Sequence, residues 1–253
     1  MKVKKSKIFV RVLIFMICIF IFKLIIMKIT YKKNGLLQIE QSNTYAEEQV
    51  NNKKSINNNI NSKFTVVIDP GHGGYDEGTK SLSGILEKDV TLKVALEVGK
   101  ILKKNNINVI YTRTSDRVSW PANEKEDLRE RVKISNEVRA DLFVSIHCNG
   151  SENRSYYGIE SWCRFPNTEG EKLAKSIQKQ LLNLNYSVDR GLKYEADGSL
   201  AVLKLNKAVS VLIELGFLTN SSDEQYITSE SGQAECAEAI ADGILKYKLG
   251  SKE

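Results

Sequence analysis

FTVVIDPGHGG, residues 64–74, begins with a short apolar run rich in β-branched residues and breaks off at Pro70 and Gly71. A run of this kind bounded by turn formers predicts a buried strand over 64–69. Outward from it the pattern alternates. Residues 88–104 carry apolar side chains at 90, 94, 98, 101 and 102, which is helical spacing, and 107–112 is a second strand. A charged helix over 124–140 precedes DLFVSIH (141–147), a third strand. Residues 157–165 read as a strand, 169–184 as a helix, 200–205 and 209–215 as strands, and 233–247 as a closing helix. Strands and helices of these lengths predict a single three-layer α/β domain over 64–250, its mostly parallel or mixed central sheet of about six strands flanked by helices.

Upstream of residue 64 the composition changes. Residues 34–63 are polar, with Asn51, Asn52, Asn57, Asn58 and Asn59 close together, and bury too little apolar surface to fold, so they read as a flexible linker. Lys2, Lys4, Lys5 and Lys7 precede an apolar stretch from Ile8 to Ile29, interrupted by Arg11 and Lys23. About 20 apolar residues span a bilayer, so 1–33 is expected to be an uncleaved signal-anchor. Its flanking lysines put the N-terminus in the cytoplasm and the bulk of the chain on the extracytoplasmic face. A cleaved signal peptide is the competing reading, but small residues do not follow the apolar run at 27–33. The same segment accounts for the net charge of +6: residues 1–63 hold 12 Lys and Arg against 3 Asp and Glu, the rest 25 against 28. The basic excess therefore reflects membrane topology, and no nucleic-acid partner is expected. With Cys18 in the apolar stretch, Cys148, Cys163 and Cys236 remain. They form no CxxC pair, so a cysteine metal cage is not expected and free buried thiols are.

The chain has two histidines, His72 just beyond the first strand and His147 closing the third. Open α/β sheets place ligands outside the carboxyl ends of their strands. Glu214 lies near the end of the very apolar strand VSVLIEL (209–215), where a carboxylate is costly to bury unless something pairs with it. The bland alternative is an ion pair with Arg113 or Arg131. The loop Gly71–Gly74 lacks the Lys-Ser/Thr of a P-loop and the spacing of a dinucleotide fingerprint, and its glycines fit a tight turn at a site. A catalytic metal site needs a third ligand beside the two histidines. Glu87, Asp76, Glu77 and Asp89 all offer one, and spacing does not choose among them.

Several segments occur here in a familiar order and spacing: VVIDPGHGGYDEGT (66–79), ILEKDVTL (85–92), YTRTSD (111–116), LRERVKISN (128–136), ADLFVSIHCNG (140–150) and VLIELGFLTN (211–220), with DRGLK (189–193) and VLK (202–204). On these segments, which cover nearly all of 64–248, the chain resembles the zinc-dependent N-acetylmuramoyl-L-alanine amidases of the Amidase_3 type. The resemblance implies one Zn2+ held by His72, Glu87 and His147 at the carboxyl ends of the strands, Glu214 as the catalytic base, and peptidoglycan as substrate. Arg113, Arg131 and Asn149 are candidates for substrate binding or support of the site. One departure is Cys148, where the family commonly has a small residue; on a strand its side chain points away from that of His147.

Length, anchor and the lack of a wall-binding module most resemble the sporulation cortex amidases, whose action opens the way to muramic-δ-lactam and germination. A vegetative autolysin for cell separation is the nearest rival, and a weakly metallated peptidoglycan-binding regulator a more distant one. A site of two imidazoles and one carboxylate also leaves room for an activator protein that orders it.

Overall fold

Two runs of β-branched and aliphatic residues, β1 (Thr65–Pro70) and β3 (Leu142–Asn149), lie side by side in parallel at the middle of a six-stranded sheet. The computed structural model describes residues 63–195 and 200–250. The expected signal-anchor (1–33) and, but for Lys63, the expected linker (34–63) lie outside the described residues. Beyond β1 stands β2 (Asn108–Tyr111); beyond β3 stand β6 (Val209–Phe217), β4 (Ile159–Cys163) and β5 (Asp189–Tyr194), in the order β2-β1-β3-β6-β4-β5. β2, β1, β3 and β6 are mutually parallel, β4 runs antiparallel to β6, and β5 is parallel to β4. The α/β domain with a mixed sheet is therefore present.

The chain steps from β1 outward to β2, then back across β1 to β3. Parallel crossovers are right-handed, so opposite steps put their helices on opposite faces. Helix α1 (Glu87–Lys104) covers one face, joined by α3 (Glu169–Leu182) and α6 (Glu230–Gly250). On the other lie α2 (Glu124–Glu137) and the four-residue α4 (Ala201–Lys204). The reversal leaves a crevice at the carboxyl ends of β1 and β3, which is where the sequence puts His72 and His147.

Period-two alternation sorts the strand residues between the faces. Val144, Ile146, Cys148, Val211, Ile213 and Leu215 enter the large core with α1, α3 and α6. Val67, Phe143 and Leu212 form a smaller cluster with Val132 and Val202, and above them on the same face come Asp69, Ser145, His147 and Glu214. Cys148 thus faces away from His147, and Cys148, Cys163 and Cys236 are all free and buried.

Two elements depart from the reading of the sequence. Residues 200–205, expected as a strand, contain α4, because a short apolar run carries no periodicity that separates the two states. The strand taking that place in the count is β5, whose half-exposed residues DRGLKY lack an apolar alternation. A further short helix, α5 (Ser221–Ile227), follows β6; its Asn220 cap accepts hydrogen bonds from the backbone N–H groups of Ser222 and Asp223.

Candidate active site

His72 leaves the end of β1 with a left-handed backbone (φ 60°), in a loop whose neighbours have almost no side chains. A Cβ on Gly71 would sit 2.4 Å from the His147 ring, and one on Gly78 would sit 2.7 Å from both Glu87 Oε2 and the His72 ring. Only glycine lets these two loops close over the crevice.

Three ligand-type atoms converge there. His72 Nε2 is 3.1 Å from His147 Nδ1, and Glu87 Oε1 is 3.0 Å from the first and 3.1 Å from the second. Neighbouring donors around a four-coordinate cation at Zn–N distances near 2.0–2.1 Å are about 3.3 Å apart, so the triangle is the right size for a tetrahedral ion. The donor chemistry also fits, because imidazole and carboxylate together suit a borderline divalent metal.

Each corner is held from behind. Asp76 Oδ2 lies 2.7 Å from His72 Nδ1, which leaves Nε2 turned inward. Glu87 starts α1; its Oε1 accepts from the Cys148 N–H (2.9 Å) and its Oε2 from the Thr79 N–H (2.8 Å). Burial would raise the Glu87 carboxyl, but bonds from His147 and His72 hold it far below the usual range. For His72 burial favours the neutral ring, yet Glu87 and Asp76 more than offset this and raise its pKa. The group therefore attracts a cation, and protons compete with a metal for the same nitrogen.

Glu214 is the register partner of His147 on the adjacent strand. Its Oε2 is buried without a hydrogen-bond partner. Burial, then the nearby charges of Glu87 and Glu160, push its pKa well above the ordinary carboxylate value. A divalent cation beside it would pull that value back down. A proton acceptor with a raised pKa facing a polarising site is the arrangement that general-base hydrolysis needs.

The arginines serve elsewhere, and neither pairs with Glu214. Arg131 is buried and spends its N–H groups on Asp127 (2.5 Å), Asp69 (2.9 Å), the Pro70 carbonyl (2.8 Å) and the His72 carbonyl (2.7 Å). Arg113 grips the carbonyls of Pro70 (3.1 Å), Gly71 (2.8 Å) and Lys88 (2.8 Å), and burial, with Arg131 nearby, pushes it down to about 10. Together they clamp the His72 loop to β1 and α1. Asn149 donates to Glu160 Oε1 (3.1 Å), one strand beyond Glu214. Glu160 and Asp76 were not readable as functional from the sequence in these supporting positions. The signal for Asp76 was its place four residues after His72, within reach of the ring.

A cleft of about 450 Å³ opens on the α2 and α4 side, lined by His72, His147, Tyr75, Glu124, Arg131 and Leu200 among others. His72 and His147 on its wall bring two of the three converging groups to it.

Residues 66–246 match the family model described as N-acetylmuramoyl-L-alanine amidase, Amidase_3. The chain is 37% identical over 189 residues to the germination-specific N-acetylmuramoyl-L-alanine amidase of Bacillus subtilis, covering 72% of this chain and 78% of that one. Among solved structures, an N-acetylmuramoyl-L-alanine amidase from Clostridium difficile 630 is similar with a TM-score of 0.66 at 38% identity, over 76% of this chain and 99% of the other. The CwlD amidase of Clostridioides difficile, solved in complex with the GerS lipoprotein, is similar with a TM-score of 0.67 at 31% identity, over 74% and 100%. The fold, the ordered segments and the family match agree: this chain belongs to the Amidase_3 family and is an N-acetylmuramoyl-L-alanine amidase acting on the cell wall.

Proposed function

We infer that the chain is a zinc enzyme of the spore cortex, in which His72, Glu87 and His147 hold the metal and Glu214 is the general base. The observation that carries the chemistry is the convergence of three donor atoms at 3.0–3.1 Å beside a buried carboxylate oxygen with no partner. Bound there, zinc would supply Lewis-acid chemistry, polarising a carbonyl and making water more acidic. Glu214 takes a proton on its unpartnered Oε2 as water adds to the lactyl carbonyl of the muramoyl amide. It then returns that proton to the alanine nitrogen, so the C–N bond breaks with a neutral amine leaving. Asp76 keeps the His72 ring oriented, and Arg113 and Arg131 hold the loop so that the corner does not drift.

Support for the cortex role is the likeness to a germination-specific relative and to an amidase solved with a lipoprotein. The signal-anchor reading of 1–33 places this chemistry on the outer face of the membrane. Protection of the C-terminal part from protease in intact cells would count against that placement.

The direct test incubates the full chain, purified in detergent, with peptidoglycan, with and without added zinc, and identifies products by mass spectrometry. The expected result is peptide-free muramic acid and stems with a new L-alanine N-terminus, lost on chelation. Zinc bound at one per chain without cleavage would sink the claim that the chain alone is competent, and would direct attention to a partner such as the lipoprotein of its relative. The cortex role is tested by deleting the gene in its host: spores that retain muramic-δ-lactam would overturn it.

A further inference from the structure

Across the carboxyl ends of the strands the site continues past Glu214. Glu160 on β4 is the antiparallel register partner of Glu214, and its Oε2 accepts a hydrogen bond at 2.8 Å from Nε of Arg190 on β5. The Glu160 carboxylate is filled by Asn149 (3.1 Å), Trp162 Nε1 (3.2 Å) and Arg190. Arg190 is not filled in turn. Among the described residues its Nη1 has one long contact, 3.5 Å to the Tyr157 carbonyl, its Nη2 has no hydrogen-bond partner, and the side chain remains 32% exposed.

Several features fix this arginine in place. Its guanidinium lies over the rings of Phe217 (5.0 Å to the centroid) and Tyr156 (5.8 Å). Its aliphatic stem passes against Gly158, where a Cβ would come within 2.5 Å of it and where φ is +121°. With Nε held by Glu160, the free end of the fork is left for an outside acceptor. A planar guanidinium so restrained loses little entropy on binding a carboxylate. The cleft beside His72 is lined by Asp76 and Glu124, which repel carboxylates.

Resting on the amidase reading above, we propose that Arg190 is a specificity-determining residue that binds the free α-carboxylate of the second stem residue, so that the peptide runs toward β5. In peptidoglycan that residue is a glutamate joined through its side chain, its α-carboxyl either free or amidated. The distances agree. Along an extended chain that carboxyl lies roughly 6 Å beyond the alanine nitrogen. Arg190 starts two strands from Glu214 but reaches back to Glu160, which leaves its head about one strand spacing, ~5 Å, from the Glu214 row.

The test compares two peptidoglycan preparations, with free and with amidated stem glutamates, as substrates for the zinc-supplied full chain. The wild type is expected to prefer the free carboxylate by roughly 10- to 100-fold in kcat/KM, the worth of a charged hydrogen bond. In Arg190→Ala that ratio falls toward one, and Arg190→Lys keeps part of it. An Arg190→Ala variant that loses equally on both substrates, with the ratio intact, shows a structural role and overturns the proposal. So does a wild type that does not discriminate. If the wild type releases no amine from either preparation, the claim that the chain alone is competent fails instead. Binding of wild type and Arg190→Ala to the two insoluble preparations then decides the carboxylate question separately: equal retention of both proteins on both overturns it.

Discussion

The face of the sheet under α1, α3 and α6 is apolar along the length of β1, β3 and β6, whereas the face under α2 and α4 turns polar halfway along its strands. Both are built from the same strands, and often from adjacent residues: Ile146 enters the large core while His147 enters the site, and Ile213 and Glu214 divide in the same way. The apolar face can supply stability because most neighbours there are hydrocarbon in a close-packed interior. The site face gives up that packing, and it places at one end of the sheet a carboxylate with no partner and three donors crowded together. Changes on the first face should therefore alter how much protein is folded, and changes on the second what the folded protein does.

The sharpest break between the two is expected at Glu214. Glu214→Gln should lower kcat by about 10²–10⁴, the usual contribution of a positioned base, while zinc binding persists. Its effect on stability should be opposite in sign. An acid whose pKa is raised on folding destabilises the folded state at pH values above its unfolded pKa, so removing the charge should leave the metal-free chain as stable at neutral pH, or more so. Thermal unfolding of metal-free wild type and variant checks this; a clear fall in Tm would show that Glu214 supports the fold.

Arg131 straddles the comparison. It belongs to α2 but ties Asp69 of β1 and the His72 carbonyl together, so Arg131→Met should damage both properties. Leaving two buried carboxylates without their partner costs about 3–5 kcal/mol. The released His72 loop should weaken zinc binding as well, measurable by competition with a chromophoric chelator. The pair also predicts an acid limit. Burial would raise the Asp69 carboxyl, but Arg131, with the hydroxyls of Thr112 and Ser145, holds it below its ordinary 3.8. The stability from this lowered pKa is complete above the unfolded value and is lost as pH falls through the folded one. Acid unfolding should therefore steepen below about pH 4 in the wild type, and Asp69→Asn should flatten that slope.

On the apolar face, Ile240→Ala in α6 should cost about 2–5 kcal/mol by urea unfolding, because the side chain is fully buried and leaves a cavity. The folded fraction should keep the wild-type kcat to within a small factor. A large fall in kcat at full folding would mean that the two faces are coupled through the sheet.

The same division explains what the sequence disclosed. The apolar face was legible because its strands and helices obey simple periods: FTVVID and VSVLIEL allow few other readings. His72, His147 and Glu214 were legible because each interrupts or ends such a period with a group that is costly to bury. The rest lacks that contrast. Asp76 and Glu87 are both carboxylates near His72 in sequence, and only the closure of the Gly78 loop brings one to Nε2 and the other to Nδ1. β5 is half-exposed and α4 is one turn long, so neither repeats often enough to show a period. The opposite direction of β4 and β5 depends on which edge of the sheet the chain reaches, and no local pattern encodes that.

The smallest expected effect is also a close control, because each face has a helix capped by one side chain. Asn123 caps α2 by accepting from the Glu126 N–H (3.1 Å), and Thr168 caps α3 by accepting from the Glu171 N–H (3.4 Å). Replacing either cap with Ala should cost about 1 kcal/mol, since each frees one orphan donor at a helix start. The consequences should then part. α3 packs on the sheet face away from the three donors, so Thr168→Ala should leave zinc affinity unchanged. The first turn of α2 contains Asp127, which holds Arg131, which holds the His72 carbonyl. Fraying that turn loosens a metal corner three contacts away, and Asn123→Ala should weaken zinc by a few-fold at an equal loss of stability. Equal zinc affinities in the two variants would show that the clamp on His72 is rigid without the start of α2, and would move the boundary between the two regions inward to Arg131 itself.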